Sequence, residues 1–235
     1  MKFAKPLKRV QLLKRYKRFL ADVHCKDMGL TFTAHCANSG SMKGIFDEEP
    51  TPYAWVSPAE NAARKLPYTL EIIETQYGMV GVNTHLTNKI ALESIQDGRI
   101  ESLLFYDTIK REVKYGENSR IDLLLEGPNK PLTYVEVKNV SMRQGEKASF
   151  PDAVTARGTK HLLELMHMVN LGHRAVMLYV AQRSDCDTFS VADDIDPLYA
   201  ETLKKAIDHG VEVLAYRCHV SPEEIYIKDK MKLCL

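Results

Sequence analysis

Two acidic residues and a lysine form the pattern with the most chemical content in this 235-residue chain. Asp122 lies in a short apolar run, and Glu136 and Lys138 lie in a second run of β-branched and aromatic residues. The segment 127–131 between the runs contains a glycine and two prolines, as hairpin turns often do. The sequence therefore predicts two adjacent antiparallel strands that bring the three charged residues together.

Strand alternation predicts the chemistry that these residues could perform. Side chains two positions apart share a face, so Glu136 and Lys138 are expected on one face and the core-like Val135 and Val137 on the other. Hairpin pairing would bring Asp122 beside them. Two converging carboxylates attract a hard divalent cation, because Mg²⁺ prefers oxygen ligands. A lysine beside that cation could orient or deprotonate a water, or stabilise charge developing on a phosphate.

A second interpretation of the same pattern is a solvated sheet face that carries an ion pair. The apolar residues around Asp122 favour the metal interpretation, because a buried charge is costly unless it has a partner or a metal. On the pattern alone, both interpretations stay open.

The elements that would position the hairpin alternate between helix and strand after residues 78–82, where a domain boundary is expected. Periodicity and capping residues predict, in order, a helix ending near Gly98, strands at 109–115, 121–125 and 132–140, a helix at about 155–170, a strand at 174–181, a helix after Asp196, and strands at 211–216 and 225–227. The polar segment 144–149 is expected to be mobile. Gln182 ends the central apolar strand and is a candidate to orient a water or a phosphate. This order predicts a mixed sheet flanked by helices.

Three polar residues lie in the first half of the helix predicted at 155–170. Arg157, Lys160 and His161 could bind a phosphate together with the helix dipole. His161, His167 and His173 are spaced by six residues, which neither places them on one helix face nor resembles a zinc site. We interpret these histidines as separate surface or packing residues.

The first 82 residues have a different character. Residues 23–74 contain short strand-like runs separated by turns, which predicts a small β-barrel. The chain before them is strongly basic and has its first acid at Asp22. A strand over 15–23 would carry a groove that follows a phosphate backbone, with Tyr16 as a stacking face and Phe19 in the core. The candidate contacts are Lys14, Arg15, Tyr16, Lys17 and Arg18. The other interpretation is a solvated basic edge.

These segments resemble known families. Asp, turn and Glu-x-Lys resemble the active-site signature of the restriction-endonuclease-like PD-(D/E)XK nucleases. The sequences Glu-Asn-Ser-Arg-Ile-Asp at 117–122, Tyr-Val-Glu-Val-Lys-Asn-Val at 134–140 and Phe-Pro-Asp-Ala-Val-Thr-Ala-Arg-Gly at 150–158 resemble the sugar fermentation stimulation protein A family, nearly end to end. Residues 35–42 also match, with Ala37 where a proline is usual; this loop could present N–H groups to a phosphate or simply turn at Gly40.

The resemblance implies an α/β (α+β) fold. An OB-like β-barrel at 1–80 would bind nucleic acid, and a restriction-endonuclease-like mixed β-sheet flanked by helices would follow at 81–235. Asp122 and Glu136 would bind Mg²⁺, for which Mn²⁺ could substitute, with the Val137 carbonyl as a third ligand. Lys138 would activate the attacking water. Related nucleases often carry a further acid on the preceding helix, and Glu93 is the matching residue; a solvated helical glutamate is the other interpretation.

Three functions are compatible with these observations. The first is a Mg²⁺-dependent nuclease acting on DNA, single- or double-stranded, either alone or as a homodimer. The second, which the resemblance to this family implies, is a non-catalytic DNA-binding regulator of sugar (maltose) catabolism genes. The third, a sugar-metabolising enzyme, is disfavoured because the sequence has neither a glycine-rich cofactor loop nor a nucleophile elbow.

Composition limits the class of protein. With 45% hydrophobic and 27% charged residues, the chain is typical of globular proteins. Lysine and arginine (32) almost balance aspartate and glutamate (31), so any nucleic-acid surface must come from local segregation of charge. The five cysteines include no Cys-x-x-Cys pair, which favours a reducing cytoplasm. We expect neither a signal peptide nor a membrane span.

Overall fold

The N-terminal strands alternate buried and exposed residues and close into a barrel. The computed structural model describes residues 1–43, 45, 52–59, 61, 63–116 and 119–235. The first strands are β1 (Lys8–Tyr16), β2 (Leu20–Cys25), β3 (Leu30–Cys36), β4 (Tyr53–Pro58), β5 (Tyr68–Thr75) and β6 (Gly78–Gly81). They lie in the order β3-β2-β1-β4-β5-β6, and a parallel pairing of β3 with β5 closes the first five strands. The OB-like barrel predicted from the sequence is confirmed.

The basic segment forms a hairpin rather than one strand. Tyr16 pairs with Leu20 across a turn in which Lys17 and Arg18 have φ values of 48° and 61°. Phe19 is 45% exposed, so its prediction as a core residue was wrong. Strand alternation did not apply to Phe19 because this side chain belongs to the turn.

The second domain is a six-stranded sheet with helices on both faces. Its strands are β7 (Thr108–Tyr115), β8 (Ser119–Glu126), β9 (Thr133–Val140), β12 (Arg174–Ala181), β14 (Glu212–Val220) and β15 (Ile225–Lys230), in the order β15-β14-β12-β9-β8-β7. The helices are α1 (Thr87–Gln96), α2 (Ala156–Asn170) and α3 (Pro197–Asp208). None of the helices in the described residues is long and apolar enough to cross a membrane. The predicted mixed sheet flanked by helices is confirmed, with β9 in its interior.

A further small sheet was not anticipated. Strands β10 (Met142–Gln144), β11 (Lys147–Phe150), β13 (Thr188–Val191) and β16 (Lys232–Cys234) pair in that order. The segment 144–149, expected to be mobile, thus contains most of β11, in which Ala148 and Ser149 are buried. Its parallel partner β13 lies 41 residues later, and a short strand with so distant a partner leaves little local pattern.

Backbone contacts join the two domains. Lys2 forms a bridge with Glu224, and the Phe3 N–H donates to the Glu223 carbonyl at 3.1 Å. The first residues, which the sequence assigned to the domain at 1–80, therefore bind the segment that leads into β15 of the second domain. Within the resembling segment 117–122, Glu117 and Asn118 lie outside the described residues.

Candidate functional site

The candidate site lies where strands β8 and β9 separate. Their antiparallel pairing ends at Leu123 and Val135, and continuing the same register would set Asp122 opposite Glu136. Beyond this fork, the Val137 N–H donates to the Asp122 Oδ2 at 2.8 Å instead of to the β8 backbone. Divergence of the two strands thus leaves the acids facing a gap in the hydrogen-bonded ladder.

Glu136 is almost fully buried, with 2% of its surface exposed. Lys138 Nζ donates to its Oε1 at 2.7 Å, and His161 Nδ1 contacts the same oxygen. Within the described part of the chain, Glu136 Oε2 is buried without a hydrogen-bond partner. One oxygen is therefore held by the protein, and the other remains a buried acceptor without a donor.

Asp122 is half-buried and held by neutral donors. Asn88, on α1, donates to Oδ1 at 2.7 Å, while the Val137 N–H occupies one direction of Oδ2. A strand and a helix thus fix the carboxylate from two sides.

The two carboxyl groups are shifted in opposite directions. Burial, followed by the charge of Glu136, raises the pKa of Asp122 to about 6, while the Val137 N–H and Asn88 act in the lowering direction. Burial also opposes ionisation of Glu136, but the hydrogen bond from His161 and the charge of Lys138 outweigh it and lower the Glu136 pKa. Shifts of this kind are common where acids converge in functional sites.

The donor set fits a Mg²⁺ ion that has few protein ligands. The unpartnered Oε2 of Glu136 and the remaining lone pairs of Asp122 are hard oxygen donors. The N–H and C=O of one strand residue point to the same side, so the Val137 carbonyl also faces the β8 side of β9. Among the described residues, no three His, Cys, Asp or Glu side chains converge as a ready-made cage. Mg²⁺ needs none, since it keeps several waters beside one or two carboxylates.

Glu93, suggested as a further acidic ligand, is engaged elsewhere. Its carboxylate lies 2.9 Å from the Met1 amino group and 3.8 Å from Lys89. Asn88 is the α1 residue that reaches Asp122, and Glu93 follows it by five positions, which is about 140° around a helix. The helix therefore directs an amide, not an acid, to the site.

Gln182 lies beyond the acids at the end of β12. Its buried amide donates to Asn139 Oδ1 at 2.7 Å and to Thr87 Oγ1 at 3.1 Å. Gln182 therefore links β12 to Asn139, the residue after Lys138, and to the start of α1. Its proposed action on a water or a phosphate stays a prediction.

The sequence missed two residues that touch the acids. His161 was interpreted as a surface or packing residue, yet it is 4% exposed and contacts Glu136. Asn88 was not singled out. The available signal for His161 was its position on the apolar stripe of α2, three residues before Glu164. Its partner could not be predicted, because that partner depends on how α2 docks on β9.

The basic residues proposed as nucleic-acid contacts fall into two groups. Lys14, Lys17 and Arg18 are exposed around the β1–β2 turn. Tyr16 donates to Asp22 at 3.1 Å, and Lys14 Nζ lies 4.9 Å from the Tyr16 ring centroid. The other two residues are exposed on the first turns of α2: Arg157, and Lys160, which lies 3.6 Å from Glu164.

Arg15 organises the loop at 38–42. Its guanidinium donates to the carbonyls of Asn38 at 2.8 Å and Gly40 at 2.9 Å. On the other side of the loop, the Met42 N–H donates to Asp152 Oδ2 at 3.0 Å. The loop therefore connects the barrel to the segment that leads into α2, and a Cβ at Gly40 would lie only 2.3 Å from Asp152 Oδ2.

The chain matches one family along most of its length. A model described as the sugar fermentation stimulation protein RE domain matches residues 85–224, and a model of the SfsA N-terminal OB domain matches 13–82. A sugar fermentation stimulation protein homolog from Rhodospirillum centenum is 54% identical over 99% of both chains, and one from Maricaulis maris is 51% identical over 99% of this chain and 98% of the relative. The solved structure of Pyrococcus furiosus SfsA in complex with Ca²⁺ has a TM-score of 0.88 at 28% identity, covering 100% of this chain and 98% of that one.

Proposed function

Because this chain belongs to the sugar fermentation stimulation protein family, we propose that it is a Mg²⁺-dependent phosphodiesterase that acts on DNA. The observation that carries the proposal is the fork, where the buried Oε2 of Glu136 lacks a donor within the described residues and Lys138 holds the opposite oxygen. A solvated ion pair would have no reason to bury one carboxylate oxygen unsatisfied.

Asp122 and Glu136 would hold the cation, with the Val137 carbonyl as a further ligand. When bound, Mg²⁺ would polarise the scissile phosphate and lower the pKa of a coordinated water. Lys138 has three N–H donors, of which one is directed to Glu136. Its others can orient a water or stabilise negative charge on the phosphate.

The solved relative supports the choice of metal. That protein is known in complex with Ca²⁺, and Ca²⁺ and Mg²⁺ share a preference for oxygen ligands. In this chain, Asp122 and Glu136 supply such oxygens. We favour Mg²⁺ over Ca²⁺ because Mg²⁺ keeps several waters and therefore suits a site with only a few protein ligands.

A connected series of contacts from the basic β1–β2 turn to the start of α2 supports a polynucleotide substrate. The basic turn at Lys17 and Arg18 is tied through Arg15 to the 38–42 loop, and that loop contacts Asp152 just before α2. A polar cleft of about 210 Å³ lies at this junction and is lined in part by Asn139, the neighbour of Lys138. Binding through exposed lysines and arginines should weaken steeply with salt.

A non-catalytic DNA-binding regulator of sugar catabolism is the second candidate. It is favoured by the fact that three of the four carboxylate oxygens of Asp122 and Glu136 already have protein donors. A site so well neutralised could persist as a structural feature without turnover.

Cleavage of labelled single- and double-stranded DNA in Mg²⁺ or Mn²⁺ separates the two candidates. We expect Asp122→Asn and Lys138→Met to lower the cleavage rate by at least about 100-fold and to change DNA affinity by less than about 3-fold. Glu126→Gln is the matched control, because Glu126 is an acid at the other end of β8 that pairs with Lys110. A wild-type protein that binds DNA and never cleaves it would favour the regulator.

A further inference from the structure

Helix α2 places a pair of side chains beneath the fork. His161 is buried against Glu136, and Arg157, one turn earlier on the same face, reaches its ring. Arg157 is exposed, whereas His161 is 4% exposed, so the pair runs from solvent to the buried acid. Asp122 receives its hydrogen bonds from Asn88 and the Val137 N–H, so this pair acts on Glu136.

The hydrogen bonds determine which imidazole nitrogen carries the proton. Arg157 Nε donates to His161 Nε2 at 3.3 Å, and a guanidinium has no lone pair with which to accept. His161 Nε2 must therefore be the unprotonated nitrogen. The ring hydrogen of the neutral imidazole then lies on Nδ1, where it donates to Glu136 Oε1.

This tautomer also explains the arrangement of Lys138. Its Nζ lies 3.1 Å from His161 Nδ1 and 2.7 Å from Glu136 Oε1. Because Nδ1 already carries a hydrogen, the ammonium donates to the carboxylate. Glu136 Oε1 thus receives two donors, from a helix and from its own strand.

Two donors on one oxygen fix the rotation of the carboxylate. With Oε1 held between His161 and Lys138, Oε2 is directed away from both and remains without a donor within the described residues. Partners of this kind orient metal-ligating carboxylates, and their loss commonly lowers metal affinity by 10- to 100-fold.

We propose that Arg157 and His161 act as a positioning pair: Arg157 holds His161 as the Nδ1–H tautomer, and His161 turns Glu136 so that Oε2 faces a divalent cation. This inference rests on the proposed function only for the presence of that cation. It gives α2 a role in the metal affinity of the site, beyond the phosphate contact suggested by the sequence.

Titration calorimetry with Mn²⁺ tests whether His161 orients Glu136 toward a cation. We expect His161→Leu to weaken Mn²⁺ binding by about 10- to 100-fold. His161→Asn keeps a side-chain N–H near the position of Nδ1 and should recover affinity to within about 3-fold of wild type. His167→Leu is the matched control, since His167 is exposed on the same helix, and its affinity should be unchanged.

Nitrogen NMR of histidine-labelled, metal-free protein tests whether Arg157 sets the tautomer of His161. The wild-type His161 should show a protonated Nδ1 and an unprotonated Nε2, and the exposed substitution Arg157→Met should remove this preference while leaving the melting temperature nearly unchanged. A protonated Nε2 in the wild type, or a folded His161→Leu variant with wild-type Mn²⁺ affinity, overturns the proposal. Mn²⁺ binding without DNA cleavage would refute the phosphodiesterase and leave the positioning pair standing, whereas the absence of Mn²⁺ binding would refute both.

Discussion

Glu136 and Glu164 are both buried acids of the second domain, but their surroundings differ. Glu136 has two donors on one oxygen. Glu164 is 8% exposed, and within the described residues its two buried oxygens form no hydrogen bond of good geometry. The Lys160 ammonium lies 3.6 Å from its Oε1, and the buried Tyr115 hydroxyl is a further neighbour. Burial, followed by the charges of Glu136, Glu164 and Asp122, raises the Tyr115 pKa. Three acidic side chains therefore lie around the Tyr115 hydroxyl, and their mutual repulsion lowers the stability of the folded state.

Replacing Glu164 with glutamine should stabilise the protein. The substitution removes a buried carboxylate whose ion-pair partner, the exposed Lys160 ammonium, lies 3.6 Å away and compensates little of its burial. We expect the free energy of unfolding to rise by about 1–2 kcal/mol, measured by urea denaturation. Glu201→Gln, on an exposed acid of α3, should change it by less than about 0.5 kcal/mol. A clear destabilisation by Glu164→Gln would mean that the carboxylate has a donor.

Glu71 predicts a pH dependence in the barrel. Burial raises its pKa above the ordinary value of 4.5, despite hydrogen bonds from Ser57 and Asn83. Because the folded state keeps this proton to higher pH than the unfolded chain does, stability should fall as pH rises from about 4.5 through the folded-state pKa. The difference in unfolding free energy between wild type and Glu71→Gln, measured across that range, should decrease with pH; an increase would contradict the assignment.

The residues that sequence analysis identified are those whose relation is local. Asp122, Glu136 and Lys138 lie on adjacent strands of one hairpin, so alternation and a turn were enough to bring them together. His161 and Asn88 reach the same acids from two helices, and no pattern within either helix reveals the docking that brings them there.

At the scale of elements, one aspartate fixes two helices. Asp196 Oδ1 accepts the Tyr199 N–H at 3.0 Å and so caps α3, as its position before Pro197 predicted. Its Oδ2 accepts the Thr155 N–H at 2.8 Å, at the start of α2. The beginning of the helix that carries His161 is thereby tied to that of α3. The cap on α3 was predictable from the local sequence, whereas the hydrogen bond to Thr155 was not, because Thr155 and Asp196 meet only after the helices pack.

Asp196→Ala should destabilise the protein by about 2–3 kcal/mol, from a lost cap and an unpaired N–H. Asp196→Asn keeps one acceptor and should cost about half as much. Chemical denaturation followed by circular dichroism would measure both. Asp208→Ala, on an exposed acid at the other end of α3, is the control and should be neutral or slightly stabilising; equal effects at the two ends would refute the bridging role.

At the scale of the molecule, the domains are joined by close contacts rather than by a flexible linker. Ser41 donates to the Asp152 carbonyl at 2.6 Å, and the Met42 N–H donates to its carboxylate. Gly81 donates to the Gln182 carbonyl at 2.7 Å on another side of the junction. Fold class and domain order were predictable from alternation and periodicity. The junction was not, because a loop motif alone did not indicate whether it turns, binds phosphate or docks.

Gly40 and Asp152 should be strongly coupled. A Cβ at position 40 would lie 2.3 Å from Asp152 Oδ2, so Gly40→Ala should cost about 1–3 kcal/mol. In an Asp152→Ala background the clash disappears, and the same change should cost less than about 0.5 kcal/mol. Thermal unfolding of the four variants gives the coupling energy; additive effects would mean that the loop does not pack as described.

The separation of β8 and β9 also limits which mutations this hairpin can accept during evolution. The distance between its two acids is set by main-chain pairing, so substitutions at Val135 or Leu123 can alter the packing and preserve the spacing. Inserting or deleting a single residue between the turn at 127–131 and either acid would turn that acid to the opposite face of the sheet. Related sequences should therefore differ by substitutions along the two strands, while insertions and deletions should be confined to the turn at 127–131.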